Sequence, residues 1–348
     1  MSPPYGATPQ YGASPMIGMV AYPTPPSPGY GATQMIAWDP TPSANALRKA
    51  MKGWGTKEGW LINELADKDP FQIEAINIAF NRIHRRDLVD DIKDETSGDF
   101  GYGIVQLARG PLMADVHMLY EAMKGAGTKE KVLNDVLLGR SNADITAIKI
   151  EYKKAFDKDL IAAVKDELSL KTERHFDIVL SAQRVEDSVL PVQADIDRDV
   201  DALYSATEGK LGTDEIRVCS ILSTRNDEQI RAIAYTYKRR YARDLDTVIR
   251  KEFRGHMEEA LLFQLNRALD KYMHQAKLIE EPMKGAGTKD YLLVSRVVRS
   301  HWNKDNMERV KGAYLKCYGT SLAKRIKGET SRDYQSLMLA CIGESKLK

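Results

Sequence analysis

Apolar positions recur at helical spacing through most of the chain, from about residue 43 onward. Three clear stripes are Val116, Leu119, Tyr120 and Met123; Val132, Leu133, Val136 and Leu137; and Ile145, Ile148, Tyr152 and Phe156. Such spacing places the side chains of each stripe on one face of a helix. No convincing alternation of apolar and polar residues, the pattern of a half-buried strand, is found. The pattern therefore predicts an all-α core of amphipathic helices about three turns long.

A short glycine motif divides this helical region into repeats. Met-Lys-Gly-x-Gly-Thr occupies residues 51–56, 123–128 and 283–288, and a degenerate copy occupies residues 209–213. The threonines of the four copies lie 72, 85 and 75 residues apart. Self-similarity at such a period indicates supersecondary units that bury a shared core by packing on one another. We therefore expect one assembly of four helical repeats, at residues 44–112, 113–185, 198–271 and 272–348.

The second and third repeats are joined by a longer connection than the others. We predict a linker at residues 186–197, where Pro191 and several acidic residues are typical of an exposed segment.

The first 43 residues differ in composition from the rest. Ten of the 14 prolines lie within residues 1–42, and Tyr-Gly-Ala recurs three times there. A segment with so much proline and glycine and so few aliphatic residues is expected to be disordered. Two interpretations remain open for this head: a solubilising tail, or a tyrosine-bearing segment that binds itself or another protein.

The balance of charge limits the classes of partner. Lysine plus arginine total 51 and aspartate plus glutamate total 49, for a net charge of +2, whereas dedicated nucleic-acid binders usually carry a strong basic excess. No apolar run approaches the roughly 20 residues of a transmembrane helix, and no secretory signal is recognised. Three scattered cysteines do not suit a disulfide framework. We expect a cytoplasmic protein that does not bind nucleic acid.

The Gly-x-Gly-Thr motif has two structural interpretations. A nucleotide-binding P-loop requires Gly-Lys-Ser/Thr after four variable residues, and the lysines here stand in the wrong order. A tight interhelical turn fits better, with glycines at positive φ and the threonine as N-cap of the next helix.

A glutamate follows the motif at constant spacing. In each of the first three copies, 38 residues separate the threonine from a glutamate: Glu95, Glu167 and Glu252. Each glutamate ends a predicted helix, where the helix dipole disfavours a negative charge unless a cation lies beside it. The regular spacing therefore favours metal binding over chance.

The donor types point to calcium. A glycine loop can aim several backbone carbonyls at one point, a distant carboxylate can add two oxygens, and Ca²⁺ accepts irregular shells of 6–8 oxygen ligands. Zinc would require Cys or His at close spacing, which the six histidines do not provide. Three carbonyls and one bidentate carboxylate leave positions that a lipid phosphate could fill. The residues thus predict calcium-bridged binding to anionic membranes.

The chain resembles the annexin family in these loops, in the 38-residue interval, in its four repeats and in its longer central connection. The resemblance covers about residues 44–348. It implies a curved, all-α disc with five helices per repeat, calcium loops on the convex face, and reversible calcium-dependent binding to acidic phospholipid membranes.

The resemblance also implies the calcium ligands of each repeat. They are the carbonyls of Met51, Gly53 and Gly55 with Glu95; of Met123, Gly125 and Gly127 with Glu167; of Thr207, Lys210 and Gly212 with Glu252; and of Met283, Gly285 and Gly287 with Glu329.

Repeats 3 and 4 depart from the family pattern. In repeat 3, Thr207 replaces a glycine that is common there, and Lys251 and Arg254 flank the acid, so this site ranks lower. In repeat 4 the 38-residue interval ends at Lys327, which cannot be an acidic ligand. Glu329 takes that role if two residues are inserted near Trp302 and Asn303.

Loop side chains are candidates for membrane contact. Trp54 either packs on its own repeat or enters the headgroup region, where tryptophan is favoured. Lys52, Lys124 and Lys284 either attract headgroups or are simply solvated.

The leading function is calcium-regulated membrane binding in membrane organisation or trafficking. The alternative is a helical-repeat scaffold for protein partners such as the cytoskeleton, with calcium secondary. No nucleophile–base pair, catalytic metal cluster or cofactor motif is recognised, so we do not expect an enzyme.

Overall fold

The computed structural model describes residues 21–53, 55–125, 127–209 and 212–344. Within these ranges the regular structure is entirely helical and contains no strand. Four repeats of five helices follow one another, and α5, which is kinked in its middle, provides the last helix of repeat 1 and the first of repeat 2. No helix in the described part of the chain is both long and apolar enough to cross a bilayer.

The helices are numbered in chain order. Repeats 1 and 2 contain α1 (Thr41–Ala50), α2 (Glu58–Leu65), α3 (Pro70–His84), α4 (Leu88–Glu95), α5 (Gly98–Ala122), α6 (Glu130–Leu137), α7 (Asn142–Phe156), α8 (Leu160–Glu167) and α9 (Leu170–Leu180). Repeats 3 and 4 contain α10 (Gln193–Ala206), α11 (Glu215–Thr224), α12 (Asp227–Tyr241), α13 (Leu245–Glu252), α14 (Gly255–Leu269), α15 (Lys271–Glu280), α16 (Asp290–His301), α17 (Lys304–Tyr318), α18 (Leu322–Glu329) and α19 (Arg332–Cys341), with a 3₁₀ turn at Glu281–Met283.

The junction of repeats 1 and 2 lies inside α5. Gly110 has φ +70° and ψ 173°, which interrupts the helical backbone, and Pro111 follows it. Glycine tolerates a positive φ. Proline suits the first position of the helical segment that resumes, because an N–H at that position would have no partner within the helix and proline has none to leave unpaired.

The third helix of each repeat has defined ends. In all four repeats the side chain of its N-cap residue accepts a hydrogen bond from a backbone N–H of the first helical turn. These N-cap residues are Asp69, Ser141, Asn226 and Asn303. Its C-cap residue is left-handed in all four, with φ between 52° and 66°. These caps set where the fourth helix begins. That helix has eight residues in every repeat and ends at the glutamate predicted to be the acidic ligand.

The buried apolar side chains form three clusters. Repeats 1 and 4 share one of them, in which α5 packs against α16 and α19. Repeats 2 and 3 each have their own, and helices α9 and α11 pack against each other between them. Repeats that are far apart in sequence are therefore joined by a common core.

The predicted disorder of residues 1–43 requires correction for its second half. Residues 1–20 lie outside the described residues, but residues 21–40 lie along the helical core and α1 begins at Thr41. Tyr30 is only 5% exposed, and its hydroxyl donates to the buried carboxylate of Asp115. The Arg140 guanidinium lies 4.9 Å from the centre of the Tyr30 ring, and the Ser27 backbone N–H donates to Asp144 at 2.8 Å. Polar and aromatic contacts thus fix a segment that lacks aliphatic residues.

The predicted linker at 186–197 is displaced from the observed connection. The connection runs between the end of α9 at Leu180 and the start of α10 at Gln193, so residues 193–197 already belong to a helix. Nor is it loose: the Glu186 carboxylate accepts hydrogen bonds from the Asn142 amide and the Thr24 backbone, each at 2.7 Å.

Candidate metal centres

The motif loops join the first and second helices of each repeat. One backbone hydrogen bond closes each loop at its base, from the residue after the threonine to the residue that precedes the loop. The pairs are Lys57 to Ala50 at 3.0 Å, Lys129 to Ala122 at 3.0 Å, Asp214 to Ala206 at 2.8 Å, and Lys289 to Pro282 at 2.9 Å. The third loop is one residue longer than the others.

The loop glycines adopt positive φ. Gly53 and Gly55 have φ of 114° and 78°, and the corresponding glycines of the other loops lie between 82° and 97°. No atom lies within 4 Å of the position where a Cβ would stand on Gly53 or Gly55. The requirement for glycine is therefore conformational rather than spatial.

The loop threonine contacts the predicted acid in every repeat. Its hydroxyl donates to one carboxylate oxygen, from Thr56 to Glu95 at 3.1 Å, Thr128 to Glu167 at 2.6 Å, Thr213 to Glu252 at 2.6 Å, and Thr288 to Glu329 at 2.5 Å. The fold thus brings together residues that are 39 to 41 positions apart.

The expected N-cap role of the threonines is wrong. The N-caps of the second helices are Lys57, Lys129, Asp214 and Lys289. Each hydroxyl is directed to the glutamate instead, a role that was not predicted. The fixed interval between threonine and acid was the available signal.

Repeat 4 contains two extra residues between its threonine and its third helix. Thr56, Thr128 and Thr213 precede the first residue of that helix by 14 positions, whereas Thr288 precedes Lys304 by 16. Helix α16 has 12 residues, and Trp302 and Asn303 link it to α17. This offset is what places Glu329, rather than Lys327, beside Thr288.

The charge beside the acid differs among repeats. In the described part of the chain, no Lys, Arg or His nitrogen lies within 4.0 Å of the carboxylates of Glu95 or Glu167. The Lys251 ammonium lies 3.5 Å from Glu252 in repeat 3, and the Arg325 guanidinium lies 2.5 Å from Glu329 in repeat 4. Repeats 1 and 2 are therefore the least obstructed for a cation.

The third loop differs further from the others. Thr207 is buried, and its hydroxyl donates to the Leu203 carbonyl at 2.7 Å. Arg254 donates to backbone carbonyls at the end of α13, including that of Arg250 at 2.6 Å, and is not directed at Glu252. Lys210 lies outside the described residues.

The lysines proposed for membrane contact are exposed. Lys124 and Lys284 lie 5.9 Å from the ring centres of Tyr120 and Tyr318, and Lys52 is likewise exposed. Trp54 lies outside the described residues.

The donor types of repeats 1 and 2 suit a hard cation. Each of these loops offers backbone carbonyl oxygens, its threonine contacts one carboxylate, and the described residues contain no group of three or more His, Cys, Asp and Glu that could hold a metal. Oxygen ligands of this kind suit Ca²⁺ and not Zn²⁺. The residues of repeats 1 and 2 therefore fit calcium without rearrangement of a basic side chain.

Comparisons with known proteins agree with this architecture. A family model described as Annexin matches residues 42–107, 114–175, 198–263 and 274–341, one segment per repeat. Annexin C1 of Cryptococcus neoformans is 38% identical over 330 residues, which is 94% of this chain and 70% of that protein. Annexin A11 of Mus musculus is 34% identical over 89% of this chain, and the chain spans 61% of its length.

A solved structure shares the fold. Calcium-bound annexin (Sm)1 superposes with a TM-score of 0.78 at 26% identity, covering 88% of this chain and 90% of that one. Together with the four family segments, these similarities establish the family. The chain belongs to the annexins, a family known for calcium-dependent phospholipid binding.

Proposed function

We propose that this protein binds acidic phospholipid membranes reversibly and only when calcium is present, through ions held between its interhelical loops and lipid phosphates. The observation that carries the proposal is the contact between loop threonine and distant glutamate in all four repeats. That contact brings a carboxylate to the loop, whose backbone carbonyls would complete the all-oxygen donor set that Ca²⁺ prefers.

The proposed ligands are those given by motif position. Repeat 1 contributes the carbonyls of Met51, Gly53 and Gly55 with Glu95, and repeat 2 contributes their counterparts at Met123, Gly125 and Gly127 with Glu167. Three carbonyls and a bidentate carboxylate supply five oxygens, fewer than the 6–8 that calcium takes. A bound calcium ion would supply two positive charges and open positions for a phosphate oxygen.

The need for lipid follows from charge. One carboxylate per loop neutralises only part of a divalent ion, so a loop without lipid is a weak site. An anionic headgroup adds the missing charge, and calcium and lipid then strengthen each other's binding. Several weak sites on one molecule add through avidity.

The exposed loop lysines support headgroup attraction. Lys52, Lys124 and Lys284 extend from three of the loops, and a basic side chain near an anionic surface is worth about 1 kcal/mol. We propose that Trp54, between the two glycines of loop 1, enters the headgroup region.

The cellular role proposed is membrane organisation or trafficking without catalysis. We infer a cytoplasmic protein that becomes peripheral on membranes when calcium rises. We propose that contacts of the head with itself or with another protein are made by its first 20 residues, because residues 21–40 contact the helical core.

Cosedimentation with phosphatidylserine vesicles tests the proposal. We expect the protein to pellet with calcium and to be released by chelator, and E95Q/E167Q to require at least about tenfold more calcium, because each substitution removes the only charged ligand of its site.

D94N/D166N is the matched control. It removes the same charge from neighbouring exposed positions, and we expect it to behave as the unmodified protein. Pelleting that ignores chelator, or equal weakening by both double variants, would overturn the proposal and favour the scaffold alternative.

A further inference from the structure

Arg325 lies inside the candidate site of repeat 4. It stands on α18, four residues before Glu329, and its guanidinium donates to the Glu329 carboxylate at 2.5 Å and to the carbonyl oxygen of Met283. A third contact joins it to the Glu280 carboxylate at 3.3 Å. Two of these three acceptors, Met283 and Glu329, are the groups proposed to hold calcium in this repeat.

Both oxygens of the Glu329 carboxylate are engaged. Thr288 donates to Oε2 at 2.5 Å, and Arg325 donates to Oε1 at 2.5 Å. In repeats 1 and 2 the threonine contact is kept, but no described basic nitrogen lies within 4.0 Å of the acid. The guanidinium beside the acid is thus specific to repeat 4 and is not part of the loop arrangement that the repeats share.

The same helical position differs in the other repeats. Four residues before the acid stand Asp91, Ala163 and Val248, none of which is basic.

In repeat 1 the positions that correspond to Glu280 and Arg325 carry the opposite charges, as Arg48 and Asp91. Arg48 stands eight residues before Thr56, as Glu280 stands eight before Thr288, and Arg48 contacts Asp91 at 3.1 Å. In repeat 1 the guanidinium therefore belongs to the first helix and forms an ion pair with Asp91. In repeat 4 it comes from the fourth helix, where it reaches the loop carbonyl and the acid.

Glu280 anchors Arg325 in this place. Glu280 is buried, and it also accepts a hydrogen bond from the hydroxyl of the fully buried Tyr314. Withdrawing the guanidinium would leave a buried carboxylate without its counter-charge, which is costly. An arginine also keeps its charge at any physiological pH, so it cannot leave by losing a proton.

We propose that Arg325 is a built-in cation that takes the place of calcium in repeat 4. It connects the loop carbonyl to the acid in the absence of metal, and calcium must displace it and break three charge-assisted contacts. Repeat 4 therefore binds calcium much more weakly than repeats 1 and 2, although its motif is complete. This inference rests on the proposed function, since it uses the ligands proposed there.

The test isolates repeat 4 in the full-length chain. In an E95Q/E167Q/E252Q background, calcium binding is followed by titration calorimetry with and without R325M. We expect R325M to tighten calcium binding at least about tenfold, because the competing charge-assisted hydrogen bonds are gone. Adding E329Q to R325M should abolish that gain.

K324M is the matched control. It removes the same charge from the neighbouring exposed position on α18, and we expect it to leave calcium binding unchanged. If R325M proves unstable because Glu280 loses its partner, E280Q/R325M removes that charge as well and should show the same gain.

The outcomes separate this inference from the proposed function. Calcium binding by the unmodified chain, together with no gain in R325M or E280Q/R325M, overturns the role of Arg325 alone. An equal gain in K324M also overturns it, since the effect would be general charge. No calcium binding by the unmodified chain or by any variant overturns both.

Discussion

Each loop threonine holds its glutamate by a hydrogen bond, and this makes it a positioning residue rather than a ligand. The arrangement is the same in all four repeats, although the charges around the acids differ. A hydrogen bond that orients a metal ligand commonly contributes a 10–100-fold difference in metal affinity.

Thr128→Val should therefore weaken calcium binding at repeat 2. We expect the substitution to raise the calcium needed for vesicle binding severalfold in an E95Q background, while Thr128→Ser, which keeps the hydroxyl, restores it. Vesicle cosedimentation across a calcium series measures this. Equal effects of valine and serine would show that the hydroxyl does not position Glu167.

Four histidines that are buried or partly buried make stability depend on pH. Burial lowers the pKa of His175 and His274 to about 3 and that of His117 and His256 to about 4. The unfolded chain binds these protons at about pH 6.5, whereas the folded chain does not, so stability is complete above pH 6.5 and is lost as the pH falls toward 4.

Urea unfolding at pH 7.5 and pH 5 should show this loss. Each histidine contributes up to about 1.4 kcal/mol per pH unit below 6.5. His256→Gln should reduce the slope. A free energy of unfolding that is constant or rises between pH 7.5 and pH 5 would contradict the assignment of these histidines as neutral in the folded protein.

At the scale of elements, the fourth helix of each repeat positions the glutamate of the candidate site, and residues 21–40 are held against the helical core. The helix has eight residues in every repeat, so its terminal glutamate always returns to the loop. The segment at 21–40 is instead fixed by a few side chains, chiefly Tyr30, which is 5% exposed and lies between Asp115 and Arg140.

Tyr30→Ala should release this segment. We expect faster proteolysis within residues 21–40 and a loss of about 3 kcal/mol in the free energy of unfolding, the scale for removing a buried aromatic side chain. Tyr22→Ala is the control, because Tyr22 is 68% exposed. Equal protease sensitivity of the two variants would contradict an anchoring role for Tyr30.

At the scale of the molecule, the sequence allowed the helices, the four repeats and the pairing of loops with acids to be predicted, because each is encoded in local spacing. The position of Glu329 followed from the same spacing once two residues were added. The shared core of repeats 1 and 4 was not predictable from periodicity, since it depends on which helical faces meet.

The other features that were not predicted from the sequence are polar contacts of single side chains. The docking of Tyr30 on Asp115 joins residues 85 positions apart, and no local pattern signals it. Arg325 stands four residues before Glu329, a spacing that places two side chains on one helix face, and this signal could have identified it from the sequence.

The central claim is that calcium bridges the loops to lipid phosphate, and the dependence of calcium affinity on lipid charge tests it most directly. The measurement is the free calcium concentration at half-maximal vesicle binding, with increasing fractions of phosphatidylserine in neutral phosphatidylcholine. Because the two ligands are linked, we predict that this concentration falls steadily as the anionic fraction rises, and that it falls less in E95Q/E167Q. A midpoint that does not change with the anionic fraction would contradict the bridging account.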